Sequence, residues 1–94
     1  MRDNIIGRFA ISKAGHDAGT VYMITAEDGM HLYLTDGKFH PLDKPKKKNR
    51  KHVRLMNGKV REDILDRLYK KERIFDHEIK YAIKTASGKE EGYV

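Results

Sequence analysis

A loop of small and polar residues, Ser12-Lys13-Ala14-Gly15-His16-Asp17-Ala18-Gly19, runs directly into the β-branched and aromatic stretch Thr20-Val21-Tyr22-Met23-Ile24-Thr25. Two glycines four apart suit a backbone that takes positive φ and approaches a ligand, so that its N–H groups can meet a phosphate or a base edge. His16 beside Asp17 admits an acid–base reading, because a carboxylate can orient an imidazole. No nucleophile accompanies the pair, however, and neighbours in sequence rarely point the same way. No catalytic residue is assigned, and Asp17 is expected to cap the loop's own amides.

The second concentration of chemistry is charge. Between Lys38 and Arg54 stand eight cations (Lys38, Lys44, Lys46, Lys47, Lys48, Arg50, Lys51 and Arg54) and one acid, Asp43. That excess of +7 exceeds the whole chain's +6, so the remaining residues nearly cancel. Crowded cations repel one another unless phosphates or counter-ions neutralise them, and such a cluster fits a polyanion. An anionic membrane fits less well, because Pro41 and Pro45 stop any amphipathic helix through the first half of the run. Asn49 and His52 lie inside this run and join it as candidate contacts. Tyr22, Tyr33 and Phe39 could each stack on a base, as exposed sheet aromatics do, and Tyr33 is the favoured candidate. Phe9 and Phe39 are assigned to packing, and Tyr22 shares the inward face of Ile24. His31 and His40 are expected as cross-strand partners. The five histidines form no i, i+4 pair and cysteine is absent, so no metal site is expected and nothing argues for disulfides.

The elements that must position these residues are read from periodicity. Ile6 to Lys13 alternates with one consistently apolar face, as in a half-buried strand, and strands follow over 20–25 and 31–35. Asp36-Gly37 reads as a two-residue hairpin turn leading into a strand over 38–42, with Pro41 marking an edge. A last strand covers 52–56 and ends in the turn Asn57-Gly58. The period then changes: Val60, Ile64, Leu65, Leu68 and Tyr69 form the stripe of a helix. A second helix carries Ile79, Ala82 and Ile83, with Asp76 as N-cap, a stop at Ser87-Gly88 and a frayed tail from Lys89. With 94 residues, 38% hydrophobic and 36% charged, the chain has room for one small core and excludes a multidomain enzyme. No run approaches a membrane span and the N-terminus lacks a signal-peptide core, so the cytosol is the expected address.

Short strands joined by glycine-bearing turns suggest a small, strongly bent antiparallel barrel of the SH3-like type. The glycine loop, Thr35-Asp36-Gly37-Lys38, Leu42-Asp43-Lys44-Pro45-Lys46-Lys47-Lys48-Asn49 and Lys51-His52 together resemble the KOW motif of ribosomal proteins and NusG-type factors. The resemblance covers about Phe9 to Val53 and is similar in particular to the small bacterial KOW-domain RNA-binding proteins, themselves like an archaeal and eukaryotic large-subunit ribosomal protein family. It implies an SH3-like barrel over 1–58, with its basic segment at 44–54, and leaves 59–94 as a helical extension. It also implies a non-enzymatic RNA-binding protein associated with the large-subunit ribosomal RNA or its assembly, with ribosomal or translation proteins as further partners. Lys13, Gly15, His16, Asp17 and Gly19, and the segment Lys44 to His52, would face the RNA. His16 and Ala18 stand where the family usually carries basic residues. No cofactor, membrane or small-molecule substrate is implied. The rival expectation is a protein-interaction module that docks through the stripe Ile64, Leu65 and Leu68.

Overall fold

The computed structural model describes residues 5–91, with side chains to residue 86. Strands β1 (Arg8–Ser12), β2 (Val21–Glu27), β3 (His31–Thr35), β4 (Lys46–Asn49) and β5 (Val53–Lys59) form one antiparallel sheet in the order β4-β3-β2-β1-β5. The 3-10 turn Arg50–His52 carries the chain from one edge strand to the other. Rising about 2 Å per residue, that turn covers roughly 8 Å, whereas the edges of a flat five-stranded sheet stand roughly 19 Å apart. The sheet therefore curls, and the molecule is mainly β and barrel-like. Helices α1 (Glu62–Lys70) and α2 (Asp76–Glu91) complete it.

Pairing is set by apolar side chains on opposite strands. Phe9 lies opposite Met23 and Ala10 opposite Tyr22, while Ile24 faces Leu34 across β2 and β3. Side chains alternate along a strand, and β1 and β2 bury both of their faces. Ala10, Tyr22 and Ile24 join Leu32, Leu34 and Val53 inside the curled sheet. Phe9 and Met23 join Met56 under a second layer made by Val60, Ile64, Ile74 and Ile79. The half-buried strand expected around residues 6–13 is thus covered on both sides, because the helices close its outer face. The same packing takes up the α1 stripe: Ile64 is buried, and Leu65 and Leu68 pack half-buried against this cluster.

Four local expectations are overturned. Asp36-Gly37 makes no two-residue hairpin and residues 38–42 form no strand. Asp36 Oδ1 instead accepts the amides of Lys38 (2.9 Å) and His40 (2.8 Å), an Asx-type turn that opens a longer loop. β5 runs through Asn57-Gly58 to Lys59, with Gly58 beneath the Phe9 ring. α2 continues through Ser87-Gly88 to Glu91; the rest of the expected tail lies outside the described residues. Asp76 is the first residue of α2 and not its N-cap, and its Oδ1 accepts the Leu42 amide at 3.2 Å, which ties the loop to α2.

Candidate nucleic-acid interface

Lysine is a poor strand former, yet Lys46-Lys47-Lys48-Asn49 is strand β4. Its register explains how. Lys46 and Lys48 lie opposite Leu34 and Leu32, whereas Lys47 and Asn49 lie opposite Tyr33 and His31. The two-residue period therefore sends alternate lysines to opposite faces of the sheet.

On the inner side the lysines meet Asp17. Lys46 Nζ lies 3.1 Å from Oδ2 and Lys48 Nζ 3.1 Å from Oδ1. Lys48 also donates to the Ala14 carbonyl at 3.0 Å, and its side chain is only 11% exposed. The Ser12 hydroxyl donates to Oδ1 at 2.8 Å and the buried Tyr22 hydroxyl to Oδ2 at 2.7 Å. Burial acts to raise the Asp17 pKa, but hydrogen bonds from Tyr22, Ser12, Lys46 and Lys48 outweigh it and hold the carboxyl far below the usual range. Burial, and then the same carboxylate, push the Tyr22 phenol well above its ordinary value. Asp17 thus clamps four side chains instead of capping loop amides, and joins the glycine loop to β1, β2 and β4.

The loop backbone keeps the expected form. Gly15 and Gly19 take φ of +88° and +92°, values that L side chains rarely adopt. The Gly19 amide donates to the Ser12 carbonyl at 2.8 Å and the Thr20 amide to the Asp17 carbonyl at 2.9 Å. Lys13 and His16 are exposed. The Lys13 amide donates to the His52 carbonyl at 2.8 Å, which sets the loop beside the 3-10 turn. Asn49 caps that turn by accepting the Lys51 amide at 2.9 Å.

Arg50 is also occupied. It donates to the Gly29 carbonyl at 2.9 Å and forms an ion pair with Glu27. Lys38, Lys44, Lys47, Lys51 and Arg54 are exposed, and among the described residues none of the five holds a salt bridge of its own. Tyr33 is half-buried opposite Lys47. Its hydroxyl donates to Asp28 at 3.2 Å, and Asp28, which also accepts the His31 amide, is held below its ordinary pKa by that amide first and by Tyr33. His31 pairs with Asn49, and the His40 ring instead lies 6.0 Å from that of Tyr22. Phe39, assigned to packing, is 76% exposed with Lys38 Nζ 4.9 Å from its ring centre.

Sequence reasoning missed Ser12, Tyr22 and Glu27 as partners of the site, and favoured packing for Phe39, which is exposed. Tyr22 carried a signal, because an inward tyrosine needs a partner for its hydroxyl. Among the described residues no group of three or more His, Asp or Glu side chains is placed to hold a metal ion, and no helix is long and apolar enough to cross a membrane.

Fold and site together define a small curled-sheet protein with two covering helices and a cation-bearing rim. No protein-family model and no curated protein matches the chain.

Proposed function

We propose that this chain is a non-enzymatic, cytosolic RNA-binding protein of SH3-like, KOW type, acting on ribosomal RNA of the large subunit or on its assembly. Its strand order, with a 3-10 turn between the fourth and fifth strands, supports the SH3-like reading. The observation that carries the function is the division of the basic run. Asp17 and Glu27 engage Lys46, Lys48 and Arg50, which leaves Lys47, Lys51 and Arg54 exposed, and the bond from the Lys13 amide to His52 sets the glycine loop beside the turn that carries Lys51. Lysines turned outward from a rigid strand and turn meet phosphates without sequence choice, and the loop amides and Tyr33 add contacts to bases.

The test is a salt titration of binding to a mixed-sequence single-stranded RNA, beside co-sedimentation with large ribosomal subunits. Four to six phosphate contacts give a slope of log K against log salt of roughly −3 to −4, and the triple variant Lys47→Ala/Lys51→Ala/Arg54→Ala loses about 2 from it. A slope near zero for the unaltered protein sinks the proposal.

A second reading, a module that docks a translation or transcription protein through its helices, rests on a different observation. A groove of about 520 Å³ lies between β5 and the helices, lined by Phe9, Met56, Ile64, Tyr81 and Ala82 among others, and Tyr81 is 68% exposed. The stripe first expected to dock is committed to the chain's own core, so this reading moves to the groove.

A further inference from the structure

Phe39 is the most exposed of the large apolar side chains among the described residues, and its loop is held on every side. The Asp36 amide donates to the His40 carbonyl at 3.1 Å, which also accepts the Thr35 hydroxyl at 2.6 Å. Asp36 Oδ1 accepts the amides on both sides of Phe39. Gly37 is buried with φ +73°, and a Cβ there would meet the Asp76 carbonyl at 2.4 Å. The Leu42 amide is bonded to Asp76. A phenylalanine on a slack loop can fold back to bury its ring, since removing apolar surface from water is favourable. This loop prevents that. It presents the ring in water with an ammonium 4.9 Å from its centre, and with His40 packed on Tyr22, whose hydroxyl meets Asp17. The aromatic tip is therefore coupled through Tyr22 to the clamp that fixes the glycine loop.

We propose that Phe39 and Lys38 form a base-stacking site, in which an unpaired nucleobase lies on the ring and the Lys38 ammonium meets the adjoining phosphate. The chemistry is that of single-strand recognition: an aromatic face takes any base, and a neighbouring cation takes the backbone. The proposal rests on the RNA-binding reading and adds a residue outside the basic strand and turn. Because the backbone around Phe39 is already hydrogen-bonded in place, binding need not reorder the loop.

The chain contains no tryptophan, which makes Phe39→Trp a site-specific reporter within it. Titration with unstructured polyuridylate and polyadenylate is expected to quench its fluorescence, more strongly for the adenine polymer. Phe39→Ala is expected to weaken binding by about 5- to 30-fold with an unchanged salt slope, and Phe39→Leu, which keeps apolar area without a π face, is expected to behave like Phe39→Ala. The unfolding midpoint of each variant, expected to match that of the parent protein, separates loss of contact from loss of fold. Binding by the parent protein with no quench at Trp and an unaltered affinity for Phe39→Ala overturns the stacking site and leaves the RNA reading intact. No RNA binding by the parent protein overturns both. A Phe39→Leu variant equal to the parent protein overturns stacking in favour of a plain apolar contact, such as a protein surface makes.

Discussion

Replacing Asp17 by asparagine keeps the shape of the clamp and removes its charge. The Lys48 ammonium, on a side chain 11% exposed, then has the Ala14 carbonyl and a neutral amide oxygen in place of a carboxylate. A hydrogen bond to a charged group contributes about 1.5–3 kcal/mol against about 1 for a neutral one, and a half-buried cation left without its partner adds to the loss. Lys46, 31% exposed on its side chain, adds no more than about 0.5–1 kcal/mol, because water screens it. The expected destabilisation is about 2–4 kcal/mol, a large share of the roughly 5–14 kcal/mol that a chain of this length has in total. In thermal unfolding it lowers the midpoint by about 10–25 °C. Urea titration at pH 7 gives the free energy, and the double variant Asp17→Asn/Lys48→Met is expected to recover about 1 kcal/mol or more relative to Asp17→Asn alone, because it removes the orphaned charge as well. A loss below about 0.5 kcal/mol for Asp17→Asn, or strict additivity of the two substitutions, would refute the clamp.

Two further outcomes follow from the geometry. Gly37→Ala combines a positive φ with a 2.4 Å approach to the Asp76 carbonyl, so it is expected to cost about 2–3 kcal/mol in urea unfolding and to raise amide exchange of His40 and Leu42, whose bonds hold the loop. Glu78 accepts two bonds from Arg67 and one from the Phe75 amide, which lower its pKa from 4.5 to about 2. Its stabilising contribution is therefore fully present above about pH 4.5 and is lost as pH falls toward 2, so Glu78→Gln should be less stable than the parent at pH 7 and should approach it near pH 2; equal gaps at both pH values count against the assignment.

Much of the first half of the fold could be read from alternation and turn chemistry. β1, β2 and β3 stand within two residues of their expected positions, and Gly15 and Gly19 take the positive φ that their spacing implied. What escaped was decided by tertiary contacts. Asp36-Gly37 has the composition of a hairpin turn, yet Gly37 serves close packing against the start of α2, and Asp36 folds its side chain onto Lys38 and His40. Ser87-Gly88 has the composition of a helix stop, and α2 passes through it. β4 escaped most completely, because three successive lysines carry no strand propensity. They pair because Lys46 and Lys48 have a carboxylate waiting on the glycine loop, 29 and 31 residues away in sequence.

The basic run is one feature in the sequence and two in the molecule. Had residues 46–48 formed a helix or a coil, nothing would have sorted their charges, and repulsion among them would have favoured disorder. As a strand they are sorted by the period of two: Lys46 and Lys48 turn toward Asp17, and Lys47 turns outward beside Tyr33. The inward pair keeps the sheet edge paired and locks the glycine loop. The outward residue, with Lys51 in the turn and Arg54 beyond it, stays exposed with no salt bridge among the described residues. Neutralising the inward lysines should therefore alter stability first and RNA affinity only through it, whereas neutralising the outward ones should alter the salt slope and leave the unfolding midpoint within a few degrees. If Lys48→Met and Lys47→Met moved both quantities alike, the division of roles between the two faces of β4 would be lost, and with it the strongest support for reading this surface as an RNA contact.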